Sequence, residues 1–220
     1  IGNGSVTITA ASNPSAVTPR SGTVTIGGQS VAVTQAAGSN TFTLSDATWS
    51  AAATLDTKAV TVTATYSDAP WTATSDQAWL TLNTGSGTGN GSVTLTAAAT
   101  TLSQSTRTAT VTIGGQTVAV TQAAGTNTFT LSTATWSAAA TADSTSVTLS
   151  ATHGDTPWVA TSDQAWLTLD KLAGTGGDTV TLTAAATNLS QSTRTANVTI
   201  GGQALVVTQA AGSNTFTLSA

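Results

Sequence analysis

Few of the 220 residues carry groups that could do acid, base, nucleophilic or metal chemistry. His153 is the only imidazole. A Ser-His-Asp relay would need it beside a hydroxyl and a carboxylate. The residue 87 positions earlier is Tyr66, so a turn-proximal surface residue is the simpler reading. The acidic groups are nine Asp, with no Glu. Glycoside hydrolysis would require two of them to face each other across a bond. Asp76 and Asp163 instead lie in Ser-Asp-Gln turns, and Asp68 and Asp155 lie just ahead of Pro-Trp. In such places an Asx-type hydrogen bond to nearby backbone is the ordinary use of the side chain. Calcium would want about six to eight oxygens, and the scattered Asp residues leave the loop at Asn90 and Asp178 as the least unsuited place. With no Cys in the chain, disulfides and thiolate metal sites are excluded. The expectation is a protein with no catalytic residues, no cofactor and no metal.

Tryptophan is the one side chain here with an obvious binding chemistry, since sugar-binding proteins stack pyranose rings on exposed aromatics. Trp49, Trp71 and Trp79 return as Trp136, Trp158 and Trp166. A small domain without disulfides needs large aromatics to complete its core, and Trp71, Trp79, Trp158 and Trp166 are assigned to the core or its edge. Trp49 and Trp136 stand on an early strand, where an aliphatic residue or Phe would be more usual, and are the candidates for carbohydrate stacking. Arg107, with Arg20 and Arg194 at the same step, opens an alternating segment. It could hold an anion, but hydrogen bonds to loop carbonyls are the simpler account.

All of these residues obey one spacing. Thr41-Phe42-Thr43-Leu44-Ser45 returns at 128–132 and 215–219, and Gln35, Gln122 and Gln209 keep the same 87-residue step. Residues 39–125 and 126–212 agree at 63 of 87 positions, enough to expect one structure twice. A period this long has the size of a small autonomous domain rather than a solenoid unit. The reading is a C-terminal half-repeat at 1–38, complete repeats at 39–125 and 126–212, and the first strand of a further copy at 213–220. On that reading the chain is a window on a longer array.

Within a repeat, residues alternate with period two, as in Val93-Thr94-Leu95-Thr96 and Thr108-Ala109-Thr110-Val111-Thr112-Ile113. Such alternation marks half-buried strands with apolar side chains inward and hydroxyls outward. Gly114-Gly115 between two such runs is a two-residue hairpin signal. The Gly-rich stretch from Gly85 to Gly91, with Ser67-Asp68-Ala69-Pro70 and Ser75-Asp76-Gln77, reads as breaks. Strands are expected near 41–45, 48–52, 59–66, 71–74, 79–82, 92–98, 107–113 and 116–122. Seven or eight short strands in such a length give an all-β fold of tandem immunoglobulin-like β-sandwich domains arranged as a linear array. The connection around Gln122 to Asn127 is short, which limits how freely neighbours tumble.

Four segments together carry a family signature. They are Pro70-Trp71 through Ser75-Asp76-Gln77-Ala78-Trp79-Leu80, the Gly-rich stretch, Arg107 to Ile113, and Val120-Thr121-Gln122-Ala123-Ala124. This pattern resembles the BACON domain, an immunoglobulin-like module of bacterial and phage-associated proteins. It extends over both complete repeats and, through Arg20 to Ala37, over the half-repeat. The resemblance implies tandem use on secreted or surface proteins, often beside glycoside hydrolase or protease domains. It also implies either a carbohydrate-binding role, which the family name records, or a spacer role. No other domain type is visible in this chain.

Charge narrows the partners. Asp, Lys and Arg make up 6% of the chain, with a net charge of -4 and five basic residues, against roughly 25% charged residues in ordinary domains. Nucleic acid and anionic membrane both call for clustered Lys and Arg, so neither is expected. No apolar run approaches the roughly 20 residues of a membrane helix. Thr, at 52 residues, supplies the polar surface. With the repetition and the lack of Cys, this favours an extracellular or cell-surface protein of a bacterium or phage. The expected function is structural: a stalk, fibre or filament of rigid spacers. The alternative is a multivalent carbohydrate-binding array contacting surface glycans. Charges that guard sheet edges are scarce, so self-association of copies is also expected, including exchange of the strand at 213–220.

Overall fold

The computed structural model describes residues 3–185 and 191–213. The strand expected at 213–220 lies, beyond Ser213, outside the described residues. Two compact units divide the chain. One holds Ile1–Ala99 and Arg107–Ala123, and the other holds Thr100–Thr106 and Ala124–Ala220. The loop 100–106 thus falls in the second unit, although the repeat arithmetic counts it with the first complete repeat.

The half-repeat contributes a hairpin, β1 (Arg20–Ile26) and β2 (Gln29–Gln35). The first complete repeat follows with β3 (Phe42–Leu44), β4 (Thr48–Ala51), β5 (Asp56–Ala64), β6 (Pro70–Ser75), β7 (Leu80–Leu82), β8 (Ser86–Thr88), β9 (Gly91–Ala97), β10 (Arg107–Ile113) and β11 (Gln116–Gln122). A four-stranded sheet has the order β3-β5-β9-β7, and a five-stranded sheet has the order β4-β11-β10-β6-β8. All neighbours are antiparallel except β4 and β11, which run parallel from Thr48 opposite Ala119 to Ala51 opposite Gln122.

The second complete repeat has the same plan. Its strands are β12 (Phe129–Leu131), β13 (Thr135–Ala138), β14 (Asp143–Ala151), β15 (Pro157–Ser162), β16 (Leu167–Leu169), β17 (Ala173–Thr175), β18 (Asp178–Ala184), β19 (Arg194–Ile200) and β20 (Gln203–Gln209). The sheets are β12-β14-β18-β16 and β13-β20-β19-β15-β17. The fold is all-β, in tandem immunoglobulin-like sandwiches.

Alternation explains the packing. Val93, Leu95 and Ala97 of β9 face Ala109, Val111 and Ile113 of β10 and Val118 and Val120 of β11 across the sandwich, all within one core cluster. Their Thr neighbours lie on the outer faces. Complete burial of one such Val, Leu or Ile contributes about 1.5–3 kcal/mol. Val147, Leu149, Val180, Leu182, Val198, Ile200, Leu205 and Val207 repeat the arrangement in a separate core. The β10–β11 hairpin turns at Gly114 and Gly115, with φ of 55° and 78°, the left-handed values that a primed two-residue turn demands.

Two features depart from the sequence reading. The Gly-rich stretch 85–91, expected as a break, contains β8, which pairs with β6 through Trp71 opposite Gly87. A Cβ at Gly87 would overlap the Trp71 indole. The strand passes close against the ring, and its glycine, Gly87, reads as part of a loop for that reason. The half-repeat also lacks any strand at residues 4–10, the counterpart of β9. In a complete repeat β9 is held by β5 and β7, whose counterparts belong to the first half of a repeat. Val31 and Ile26 are correspondingly exposed, where Val118 and Ile113 are fully buried.

Sheet edges are guarded by brevity. β3, β7, β8, β12, β16 and β17 have three residues each, and β4 and β13 have four. Short edge strands offer little template for pairing, so the shortage of charge does not leave the complete repeats with long open edges.

Candidate functional site

The six tryptophans fall into three structural pairs. Trp71 on β6 and Trp158 on β15 are buried, with 6% and 3% exposure. Trp71 donates its Nε1–H to the Gly89 carbonyl at 3.0 Å. Trp49 on β4 and Trp136 on β13 are half-buried and pack against the cores of their own repeats. Trp79 and Trp166, assigned from sequence to the core or its edge, sit at the edge and are also half-buried. Each lies beneath an arginine: Arg107 is 4.3 Å from the Trp79 ring centroid and Arg194 is 4.4 Å from that of Trp166. Beside the first of these contacts, Ala98 donates its N–H to the Trp79 carbonyl at 2.9 Å.

Arg107 is engaged in hydrogen bonds within its own repeat. Its Nε donates to Gln122 Oε1 at 2.6 Å, and a terminal nitrogen donates to the carbonyls of Ala98 and Ala99 at 2.6 and 3.2 Å. Burial pulls its pKa below the ordinary value, while the guanidinium stays charged. The loop-carbonyl account of this residue therefore holds.

Gln122 is a residue whose role the sequence reading missed. It is fully buried and donates to the carbonyls of Ala52 and Ala98 at 2.8 and 2.9 Å. Gln209 repeats this with Thr141 and Ala185 at 3.2 and 3.3 Å, and accepts from Arg194 at 2.7 Å. The signal was available, because Gln122 follows Val118 and Val120 in the inward phase of β11. A polar residue in that phase must find buried partners.

The carboxylates serve as acceptors for backbone. Asp76 Oδ1 takes the Thr110 N–H at 2.8 Å, just beyond the end of the β6–β10 pairing. It makes no local Asx turn there, since Ser75 closes that turn through Gln77. Asp163 accepts from both the backbone and side-chain nitrogens of Asn197 at 2.8 Å. The Asn197 side chain, then its backbone N–H, hold the Asp163 carboxyl below its ordinary pKa. Asp46 pairs with Lys58 at 2.8 Å and Asp178 with Lys171 at 2.5 Å, and these lysines lower both carboxyls. Asp68 and Asp155, expected in Asx turns, reach instead to residues 15–16 and 103–104. Asp46, Asp68, Asp155, Asp163 and Asp178, each held below its ordinary pKa, accept hydrogen bonds but are poor proton donors.

His153 stands in a turn with its ring against Gly125, and its N–H donates to Asn127 Oδ1 at 2.8 Å. Tyr66 does the same with Gly38 and Asn40, at 3.0 Å. Asn90, weighed for metal, accepts from Ala64 N–H at 2.9 Å. Among the described residues no group of three His or Asp side chains could hold an ion, and no helix is long and apolar enough to cross a membrane. A shallow depression of about 650 Å³ opens beside Phe42, Pro70, Trp71, Thr72 and Ser86. In the second repeat the polar pair Thr72 and Ser86 becomes Val159 and Ala173.

No curated protein sequence matches the chain. Several solved structures are similar in part. A Bacteroides ovatus GH5 xyloglucanase in complex with a XXXG heptasaccharide aligns at 19% identity and a TM-score of 0.35. That alignment covers 39% of this chain and 19% of the xyloglucanase. Domains 5-6 of the S-layer protein SbsC align at 18% identity and 0.30, over 79% of this chain and 98% of theirs. The titin domains z1z2 in complex with telethonin align at 12% identity and 0.41, over 79% and 98%. Likeness at this level carries no functional information. The sequence family is another matter, because its description fits three segments at residues 2–36, 69–123 and 156–210. These contain the Trp71, Trp79, Arg107 and Gln122 framework and its copies, and they span more than half of the chain. On that match the chain belongs to the BACON family, described as "Putative binding domain, N-terminal".

Proposed function

We propose that this chain is an extracellular structural array of a bacterial or phage surface protein, its repeats serving as rigid spacers in a stalk, fibre or filament. The observation that carries this reading is how the repeats use their polar side chains. Arg107, Gln122 and Asp76 tie backbone segments together, and Gln209 and Asp163 repeat the ties of Gln122 and Asp76 87 residues on. The reading includes no catalytic residue, cofactor or metal. Copies of the chain associate, in this proposal, through the Thr-rich outer faces of the sheets, Thr making up 52 of the 220 residues.

Small-angle scattering on chains extended by whole 87-residue repeats tests the spacer. A strand of about seven residues spans roughly 23 Å, and with its turns each repeat should add a constant increment of about 35–45 Å. Growth with the square root of repeat number, the behaviour of a flexible chain, would sink the proposal. Sedimentation across a concentration series tests the association.

A second reading, a multivalent glycan binder, draws on the half-exposure of Trp49 and Trp136 at equivalent positions. Weak sites repeated along one chain gain by avidity. Affinity electrophoresis in polysaccharide gels, with Trp49→Ala and Trp136→Ala, tests it. Retardation abolished by the pair supports it, and mobility unchanged in every gel removes it.

A further inference from the structure

We infer that Asp68 and Asp155 are docking residues, through which each repeat holds a loop of the repeat before it. In the first unit, Asp68 accepts the Ala16 N–H at 2.9 Å and the Ser15 hydroxyl. In the second unit, Asp155 accepts the Ser103 N–H at 2.8 and 2.9 Å, the Ser103 hydroxyl at 2.8 Å and the Gln104 N–H at 3.1 Å. Residues 16 and 103 are equivalent, as are 68 and 155, at the 87-residue step.

The comparison of the two junctions is the strongest part of the case. The hydroxyl comes from Ser15 in one and Ser103 in the other, and these are not equivalent positions: the counterpart of Ser15 is Leu102, and that of Ser103 is Ala16. The side chain has moved by one residue while the Asp and the backbone N–H have stayed. A carboxylate kept for its own turn would not follow a loop whose side chains change. What the Asp recognises is the backbone of that loop, with a nearby hydroxyl completing the set.

Both junctions carry the same second tether. Gly38 donates its N–H to the Ser15 carbonyl at 2.8 Å, and Gly125 donates to the Leu102 carbonyl at 2.7 Å. Tyr66 covers Gly38 and His153 covers Gly125 so closely that a Cβ on either glycine would strike the ring. In the first unit, Asn13, 6% exposed, braces the loop through the carbonyls of Thr18 and Ala36 at 2.8 and 3.0 Å. Asp-x-Pro-Trp is therefore a two-part segment. Its Trp completes the repeat's own core, and its Asp, two residues before the Pro, engages the neighbour.

This inference rests on the spacer reading and supplies its stiffness. Because the chain has no Cys, one cysteine pair introduced at the exposed Thr23 and Thr63 gives unambiguous spin-label positions on either side of the first junction. Pulsed electron resonance on the intact chain should give one narrow distance distribution. Asp68→Ala should broaden it at least twofold. Ala16→Pro, which leaves the carboxylate and removes the N–H it accepts, should do the same, and the double variant should be no broader than either. In the second unit, Asp155→Ala should raise the exchange rates of the Ser103 and Gln104 amides at least tenfold. Urea midpoints report separately that the cores are intact, and Ala16→Pro, in a loop, serves if Asp68→Ala does not fold. A distribution equally narrow in wild type and both variants overturns the docking role and leaves the spacer standing. A broad distribution in the wild type removes both.

Discussion

The guanidinium of Arg107 lies 4.3 Å over the ring of Trp79, and the same Arg supplies the N–H that satisfies the buried Gln122 oxygen. Arg107→Ala removes a cation–π contact of about 0.5–2 kcal/mol and leaves a buried acceptor open at about 1–3 kcal/mol. A loss of about 2–3 kcal/mol in urea unfolding is expected from these two effects. Arg107→Lys should recover only part of it, since an ammonium lacks the planar fork. A lysine variant as stable as wild type would contradict this account.

Gln122→Leu should cost about 2–3 kcal/mol by stranding the Ala52 carbonyl and the Arg107 Nε. Gln35→Leu is the control. Gln35 makes the same bonds to Arg20 and Ala11, at 2.7 and 3.0 Å, but in the open half-repeat where water replaces them. Its effect should stay within about 0.5 kcal/mol. Equal effects at the two positions, measured by chemical denaturation, would show that burial is not what makes Gln122 matter.

Gly87→Ala should destabilise the first complete repeat by about 1–3 kcal/mol, because the new methyl overlaps the buried Trp71 indole. Gly85→Ala, whose methyl would sit 3.7 Å from the Ala73 carbonyl, should be close to neutral. Tryptophan emission shifted to the red in the first variant alone is the spectroscopic check.

The junction carboxylates give a pH dependence. The Ala16 N–H, then the Ser15 hydroxyl, hold Asp68 below its ordinary value of 3.8. At Asp155 loss of water pushes the carboxyl up, and the Ser103 hydroxyl with the Ser103 and Gln104 N–H groups outweighs it, so the net shift is also down. A lowered pKa in the docked state means that docking is fully favoured above the ordinary value and is lost as pH falls through the lowered one. The label distance across the first junction should stay narrow from neutral pH to about pH 4, broaden below it and recover on neutralisation. Asp68→Asn should remove that dependence, and a wild-type profile as flat as the variant's would refute it.

Legibility in the sequence followed periodicity. Strands β10 and β11 alternate over seven residues and turn at Gly114-Gly115, so their bounds could be read directly. β8 could not be read, because its glycine, Gly87, answers to the Trp71 ring and not to a strand propensity. The Asp residues were placed in turns correctly but given local partners. Their true partners lie 34 residues away for Asp76 and 52 away for Asp68, a distance no local pattern reports. Gln122 was visible as a repeated residue, and its role followed only once its inward phase on β11 met the carbonyls it serves.

The parallel pairing of β4 with β11 has a mechanical consequence. β4 lies near the start of the repeat and β11 at its end, so tension on the chain, once β3 is drawn off β5, draws the two along their shared axis in opposite directions. Their hydrogen bonds, with those from Ala119 to Ala47 and from Ala123 to Ala51 at 2.9 and 3.0 Å, are then loaded side by side. A hairpin pulled from its open end would instead break one bond at a time. β13 and β20 form the same lap joint in the second repeat, and each repeat meets a pull with the strength of several bonds failing together.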